Sequence, residues 1–433
     1  MILIIGAGLA GLSTAYHLGN NNLYQICEKE GEAGGLCRSY ELGGFTFDYT
    51  GHLLHLRNEY TRALVETLLP DRLTSRDRRA SIYSQSVLTP YPFQANLYSL
   101  PKEVVRDCLV GFIEAELKRE RNLDRDGVAS GSFKEWIVTT FGTGIANHFM
   151  LPYNEKLWKR DLSQLSREWV DWSIPIPKVD EVIGGALGLE NKKMGYNAQF
   201  LYPDREGIGV LPRAFLPHLN TIAYNRELTA IDVKKKKVWF SDDSTMQYDN
   251  LVSTVPLPEL IAMIRDVPPR IAEMGKRLKH LSVLDINLGI TSDLLPDQHW
   301  IYFPEPQVPF YRAGVYSHFS SSSAPPGAAS LYVEISYLPE TSLDRESIKE
   351  AAYSGLQACG MITSRNDIAV EDTVAIPYAY VVYDEERRKI LPDIMSYLKK
   401  CGIFSIGRYG SWEYMSMEDT LLQGKTVAEA LHG

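Results

Sequence analysis

The chain opens with ILIIGAGLAG at residues 2–11, an apolar run joined to the glycine pattern G-x-G-x-x-G. The apolar run predicts a buried parallel strand, residues 9–18 predict a helix, and residues 24–27 predict the next strand. In the pattern, one glycine permits a tight turn, one lets the backbone approach a pyrophosphate, and one lets the helix pack closely. Glu28 ends the second strand, where a carboxylate binds ribose hydroxyls. The stretch therefore predicts a dinucleotide-binding unit with the phosphates at the helix N-terminus.

Composition and charge exclude several classes of protein. The chain has 433 residues, 45% of them hydrophobic, and a formal net charge of -9, which does not favour nucleic acid or an anionic membrane surface. Its five cysteines are odd in number and lack C-x-x-C spacing, which argues against a disulfide framework and a metal site. The N-terminal apolar stretch is only residues 1–5 and lacks a basic leader, so we expect no signal peptide, no membrane span and a cytoplasmic location.

The residues after Glu28 distinguish between the two common dinucleotides. Lys29 follows directly, and Gly34-Gly35-Leu36-Cys37-Arg38 comes shortly after it. This extended pattern resembles the flavin-containing amine oxidase and protoporphyrinogen oxidase superfamily. There, the second glycine pair and the arginine lie along the FAD pyrophosphate. The resemblance therefore implies FAD rather than NAD.

The predicted fold class is α/β, with a Rossmann-like FAD-binding domain, an inserted helical region and a β-sheet substrate domain. The FAD-binding domain is expected to be discontinuous, because an apolar strand near residue 251 resembles one that rejoins the first sheet and a helix near Asp419 can close it. A further helix is predicted over residues 133–148. The predicted domains are residues 1–50, 200–280 and 400–433 for FAD binding, 95–195 for the helical insertion, and 51–94 with 281–399 for the mainly β-sheet substrate domain.

Segments spread over most of the chain resemble UDP-galactopyranose mutases, in particular the eukaryotic-type enzymes. Gly51-His52 resembles the loop whose histidine approaches the flavin; the alternative is a buried structural histidine. The segment Tyr91-Pro92-Phe93-Gln94 resembles the uridine-binding segment, in which aromatic rings contact the base and the amide can bond it. The alternative there is a proline-bounded turn with core aromatics.

Later segments resemble the part of the family site that binds the substrate diphosphate. Arg312 is our first choice for the phosphate-binding arginine, because a guanidinium is suited to bidentate phosphate contacts. Tyrosine hydroxyls can share that work without adding net charge, although a structural role is the alternative for any one of the 25 tyrosines. The predicted substrate-binding residues are Tyr91, Phe93, Gln94, Asn154, Trp158, Asn197, Tyr302, Arg312, Tyr380 and Tyr414.

The resemblance also implies a cofactor site and two residues in catalysis. Arg312 and His52 are the predicted catalytic residues. The predicted cofactor-binding residues are Gly6, Gly8, Leu9, Ala10, Gly11, Glu28, Lys29, Gly35, Leu36, Arg38, His52, Leu228, Gly407, Arg408 and Met417.

The chain departs from the family pattern at three positions. Ser173 stands where the family carries a second substrate arginine, and Arg167 or Arg205 could replace it. Phe319 replaces a family tyrosine, and Ser416 corresponds to an acidic residue of bacterial members. These changes are expected at the sugar and phosphate end, so the sugar need not be galactose.

The resemblance implies a flavin-dependent nucleotide-sugar mutase that interconverts pyranose and furanose forms through attack of reduced FAD on the anomeric carbon. This agrees with the lack of a Ser-His-Asp or Cys-His motif, since the cofactor would carry the chemistry. The alternatives are an FAD-dependent oxidase or dehydrogenase of an amine or sugar, and a non-catalytic nucleotide-binding protein. NAD(P)H is the candidate reductant, the substrate is expected to be UDP-linked, and a homo-oligomer is the candidate assembly.

Overall fold

The computed structural model describes residues 1–19, 23–122, 131–170, 174–189, 198–292 and 295–432. These residues form a parallel sheet covered by helices, a mixed sheet and a region built of helices. This mixed α/β architecture confirms the predicted fold class.

The parallel sheet contains the opening strand of the chain at its centre. Its five strands lie in the order Ile403–Ser405, Asn250–Ser253, Ile2–Ile5, Tyr24–Cys27 and Ile222–Ala223. All four pairings are parallel, and Leu3 and Ile4 are fully buried. Ile4 packs in one apolar cluster with the helix Leu9–Leu18, and Leu3 packs in another with the strands Leu228–Asp232 and Lys237–Phe240 and the helix Glu385–Lys400. The predicted strand near residue 251 therefore does join the opening unit.

The helices Leu9–Leu18 and Met417–His432 pack closely beside this sheet. A Cβ atom on Gly424 would lie 2.7 Å from Cβ of Ser13, and the Ser13 hydroxyl donates to the Leu421 carbonyl at 2.6 Å. The last helix begins two residues before the predicted Asp419, because Ser416 and Asp419 bond each other across its first turn. The end of the chain is thus held against the glycine-rich turn.

The mixed sheet forms the core of the second half of the molecule. Its seven strands lie in the order Ile368–Val381, His280–Ile290, Ala329–Tyr337, Arg312–Val315, Trp300–Tyr302, Ala80–Ser84 and Val87–Pro90. The strand His280–Ile290 is buried along almost its whole length. The register aligns one residue from each of four neighbouring strands, namely Asp285, Glu334, Arg312 and Tyr302.

The helical region departs from its predicted helix over residues 133–148. The helix Phe133–Ile145 contains a kink at Gly142, whose φ is +74°, and a π-helix follows over Ala146–Met150. A Cβ atom on Gly142 would lie 2.0 Å from the Gly111 carbonyl oxygen. The kink therefore depends on glycine, both for its φ and for the close helix crossing. The other helices of this region are Lys102–Asn122, Leu151–Trp158 and Val179–Ala186.

Two helices from segments predicted to be mainly β-sheet pack against the parallel-sheet half of the molecule. Leu64 and Val65 of the helix Glu59–Leu68 belong to the apolar cluster that contains the helices Val210–Phe215 and Met417–His432, and Ile394 of the helix Glu385–Lys400 belongs to the cluster under the parallel strands. The domain boundaries themselves stay a prediction. Further strands are Ser39–Leu42, Phe45–Asp48, Leu73–Asp77, Gln199–Pro203, Leu228–Asp232, Lys237–Phe240 and Thr245–Gln247. Further helices are Val210–Phe215, Leu257–Met263, Pro269–Arg277, Tyr316–Phe319, Arg345–Ala358 and Gly407–Gly410.

Candidate active site

One cavity of about 740 Å³ extends from the parallel sheet to the mixed sheet. Its volume lies in the range of cofactor and substrate sites. Its dinucleotide end is lined by Gly6, Gly8, Glu28 and Gly35, and its tyrosine end by Tyr302, Arg312, Tyr380 and Tyr414. Other predicted residues in its walls are Leu9, Ala10, Lys29, Leu36, Arg38, His52, Tyr91, Gln94, Asn154, Trp158, Leu228, Gly407, Arg408 and Met417.

At the dinucleotide end, glycines bring two loops together. Gly6 has a φ of +98°, and a Cβ atom there would lie 2.0 Å from the Thr254 hydroxyl oxygen. A Cβ atom on Gly8 would lie 3.9 Å from Cα of Gly35, with no closer neighbour among the described residues. Gly8 is also the N-cap of the helix Leu9–Leu18 and offers no side chain to its first N–H groups. The loop thus presents backbone and helix N-terminus to the cavity, as a phosphate site requires.

The carboxylate and guanidinium of this end are held by the backbone. Glu28 is buried, and its carboxylate accepts hydrogen bonds from the N–H groups of Ala7 at 2.6 Å and Glu30 at 2.9 Å. The Nε of Arg38 donates to the Gly35 carbonyl at 2.9 Å. Both side chains are therefore positioned at the glycine loops, where the sequence predicted the cofactor.

His52 lies on a strained loop in the cavity wall. Thr50 has a φ of +70°, which is unfavourable for a β-branched residue, and its N–H donates to Asp285 Oδ2 at 3.0 Å. Burial, reinforced by the positive charge of Arg408, lowers the pKa of His52 to about 4. The imidazole is therefore neutral near pH 7, and its Nδ1 has no hydrogen-bond partner among the described residues.

Arg312 is bound by a buried carboxylate rather than presented alone. Its Nε and Nη2 donate to the two carboxylate oxygens of Glu334 at 2.9 Å and 2.6 Å. Asp285 is the cross-strand neighbour of Glu334, and burial together with the Glu334 charge raises the pKa of Asp285 well above its usual range. The Glu334 charge thus compensates the Arg312 charge, while the pair fixes the guanidinium in one orientation.

Phenol rings cluster at the tyrosine end, where the ring centroids of Tyr311 and Tyr332 each lie 6.0 Å from the guanidinium carbon of Arg312. Tyr380 and Tyr414 lie nearly parallel, with ring centroids 6.5 Å apart, and the Tyr311 and Tyr380 hydroxyl oxygens are 3.4 Å apart. Burial raises the pKa of Tyr380 to about 12 and also raises the pKa of Tyr302. Both hydroxyls therefore stay protonated near pH 7 and can donate hydrogen bonds to an anion.

The predicted uridine-binding segment lies beside the tyrosine end. The Tyr91 ring is 5.4 Å from that of Tyr302, and the Gln94 amide donates to the Pro175 carbonyl at 2.7 Å. Asn154 donates to the Met150 carbonyl at 2.8 Å. Trp158 packs edge-on against Tyr380 at 6.0 Å, and its Nε1 has no partner among the described residues. Tyr91 and Trp158 can therefore offer aromatic faces to a ligand, and Trp158 can also offer its indole N–H as a donor.

Two predicted site residues in the described part of the chain do not line the cavity. Gly11 lies behind the loop, where a Cβ atom would be 2.0 Å from the Gly6 carbonyl oxygen. Phe93 is fully buried and stacks on Phe149, which itself faces the cavity, with centroids 5.0 Å apart. Gly11 thus shapes the loop and Phe93 backs the wall, and Asn197 lies outside the described residues.

The positions at which the chain departs from the family pattern do not all lie at one end of the cavity. Phe319 is fully buried in an aromatic cluster with Phe200 and Tyr202, so we correct its expected place near the substrate. Ser416 does line the cavity, where it caps the last helix. Arg167 and Arg205 are not among the described residues that line it. Ser173 lies outside the described residues.

Several residues in the cavity walls are not among those predicted from the sequence. Tyr153, Tyr332 and Tyr409 line it, and so do Arg57 and Trp169. Tyr332 stands two positions before Glu334 on the same strand, so both side chains point to one face. That alternation was visible in the sequence, but the face that it points to was not. Within the described ranges, no cluster of ligating side chains could hold a metal ion and no helix is long and apolar enough to cross a membrane.

The glycine loops, the buried Glu28 and the joined cavity define the class of dinucleotide-binding α/β proteins. The sequence profile described as "Flavin containing amine oxidoreductase" matches residues 9–432. The chain belongs to this family. A flavin cofactor and membership of an enzyme family follow from that match.

Solved structures similar to this chain agree with the family. A reduced UDP-galactopyranose mutase is 27% identical with a TM-score of 0.93, over 100% of this chain and 93% of that one. A putative protoporphyrinogen oxidase from Exiguobacterium is 16% identical with a TM-score of 0.73, over 99% and 98%. A redesigned putrescine oxidase is 14% identical with a TM-score of 0.68, over 100% and 98%. The two oxidases share the fold, and the mutase also shares sequence along the chain.

Proposed function

We propose that this protein is a flavin-dependent nucleotide-sugar mutase that interconverts pyranose and furanose forms of a UDP-linked sugar. The observation that carries the proposal is the single cavity, in which a dinucleotide end continues into an end lined by tyrosines and Arg312. The similarity to a UDP-galactopyranose mutase at 27% identity over the whole chain supports it. A net redox enzyme has no comparable need for phosphate-binding donors beside the flavin.

The residues of the dinucleotide end fit FAD. The open backbone at Gly8 and Gly35 suits a pyrophosphate, and the Glu28 carboxylate suits ribose hydroxyls. Reduced FAD would supply the nucleophile for the anomeric carbon of the sugar. His52 would approach the flavin as a neutral ring. NAD(P)H stays the candidate reductant, and a homo-oligomer stays the candidate assembly.

The chain's own residues would bind and orient the nucleotide sugar. Tyr91 and Trp158 would hold the base, while Arg312 and the hydroxyls of Tyr302 and Tyr380 would hold the diphosphate. Because Glu334 compensates the charge of Arg312, the arginine would act mainly through directed N–H groups. Donors fixed in place in this way stabilise a departing diphosphate without reorganising.

The test is an anaerobic incubation of dithionite-reduced and oxidised enzyme with a panel of UDP- and dTDP-sugars, followed by chromatography of the products. We expect isomerisation only with reduced enzyme and no net consumption of reductant. Flavin reduction by an amine or alcohol, with no sugar isomer formed, would instead identify an oxidase or dehydrogenase. Bound FAD without turnover of either kind would identify a binding protein.

A further inference from the structure

The positively charged side chains in the cavity wall differ in whether a carboxylate lies close enough to form an ion pair with them. Six lysine and arginine side chains line the cavity, namely Lys29, Arg38, Arg57, Arg226, Arg312 and Arg408. Each of the first five has a carboxylate oxygen within 4.0 Å, from Glu30, Glu32, Glu418, Asp242 and Glu334 respectively. Arg408 has no such partner among the described residues. Arg408 is therefore the cation whose charge a bound ligand would balance.

Arg408 also holds donors that the described protein atoms do not use. Its Nε and Nη2 are buried and make no hydrogen bond to the described residues. Leaving such charged donors unpaired costs free energy, so a site that retains them is built for an acceptor. The acceptor must be anionic to balance a guanidinium in a largely buried place.

The position of Arg408 indicates which anion it meets. Its guanidinium carbon lies 4.2 Å from the ring centroid of Tyr414 and 5.3 Å from that of Tyr380. Burial is the main cause of the raised pKa of Tyr380, while Arg312 and Arg408 both act to lower it. Arg408 thus contacts the phenols of the tyrosine end, while the neighbouring Gly407 packs against Ala10 of the first helix.

We propose that Arg408, assigned from its motif to the flavin, is the charge-bearing ligand of the substrate diphosphate, between Tyr380 and Tyr414. This inference rests on the proposed function, which supplies the diphosphate. Arg312 then orients the diphosphate through fixed donors, and Arg408 balances its charge. The family pattern has a second substrate arginine where this chain has Ser173, and Arg408 provides a guanidinium in its stead.

The experiment compares UDP with uridine, because only UDP carries the phosphates. Dissociation constants for both are measured by calorimetry with oxidised, FAD-loaded wild type, Arg408→Met and Arg408→Lys. Lys102→Met is the matched control, since it removes one positive charge from an exposed residue outside the cavity wall. We expect Arg408→Met to weaken UDP binding by about 10- to 100-fold while uridine binding changes less than about twofold. We expect the UDP affinity of Arg408→Lys to fall between those of wild type and Arg408→Met. We expect Lys102→Met to keep the wild-type ratio of UDP affinity to uridine affinity.

The outcomes separate this inference from the proposed function. Equal losses of UDP and uridine binding in Arg408→Met, or unchanged UDP binding with an altered flavin spectrum, would overturn the inference and assign Arg408 to the flavin. If Arg408→Met does not retain FAD, the UDP and uridine affinities of Arg408→Lys are compared with those of wild type by the same criteria. If the wild type binds neither UDP nor uridine, the proposed function fails. Inorganic pyrophosphate then tests the inference alone: tighter binding to wild type than to Arg408→Met supports it, and equal binding overturns it.

Discussion

At the scale of single residues, the ion pair of Arg312 and Glu334 combines stability with orientation. Glu334→Met would leave a buried guanidinium without its counter-charge, so we expect a loss of about 3–5 kcal/mol in the free energy of unfolding. The double variant Arg312→Met, Glu334→Met removes both charges and should recover most of that loss. Urea unfolding of the FAD-loaded proteins measures the free energy of unfolding of the single and the double variant. A double variant no more stable than Glu334→Met would contradict this account of the pair.

His52 should make stability depend on pH. Its pKa is about 4 in the fold, against an ordinary value of 6.5, so the folded protein favours the neutral ring. The stability that it contributes is full above about pH 6.5 and is lost as the pH falls toward 4, by at most about 3 kcal/mol. We expect His52→Asn to lose less stability than wild type across this window in urea unfolding. The exposed His432→Asn is the control, and equal slopes for wild type and His52→Asn would refute the assignment.

At the scale of elements, a glycine decides where a helix bends. Gly142→Ala would meet both a left-handed φ of +74° and the Gly111 carbonyl oxygen 2.0 Å away. Gly360→Ala is the matched control, because Gly360 has a φ of +73° and nothing within 4 Å of its Cβ position. We expect about 1–2 kcal/mol of destabilisation for the control and clearly more for Gly142→Ala, measured by urea unfolding. Equal losses of stability in the two variants would mean that the positive φ alone, and not the contact with the Gly111 carbonyl, requires glycine at position 142.

At the scale of the whole molecule, cofactor binding should stabilise the fold. A Cβ atom on Gly8 has no neighbour closer than 3.9 Å, so Gly8→Ala should fold, yet its methyl group would lie at the cavity wall. We expect FAD at about 100 times its Kd to stabilise wild type by about 2.7 kcal/mol, and Gly8→Ala by much less at the same concentration. Gly31→Ala, outside the cavity wall, is the control. Equal rises in melting temperature with added FAD would show that Gly8 does not approach the cofactor.

The α/β class and the dinucleotide unit could be predicted from the sequence, and most of the site residues predicted from it line the cavity. These predictions were possible because the features are local: a strand, a glycine turn and a helix lie within one short stretch, and each later motif carries its own residue types. The helix boundaries at Leu9 and Leu18 follow from the same local pattern. The kink at Gly142 does not follow from the local pattern, because it depends on the close approach of the Gly111 carbonyl oxygen from another helix.

The partners of the side chains in the site follow from contacts between distant segments of the folded chain. Glu334 reaches Arg312 through strand register, and Phe319 is buried away from the cavity although its motif placed it at the substrate. Arg408 lies against Tyr380 and Tyr414 with no carboxylate among the described residues, although its motif assigned it to the flavin. Register and charge compensation depend on contacts between distant segments, and residue type and spacing do not specify which distant carboxylate meets which cation.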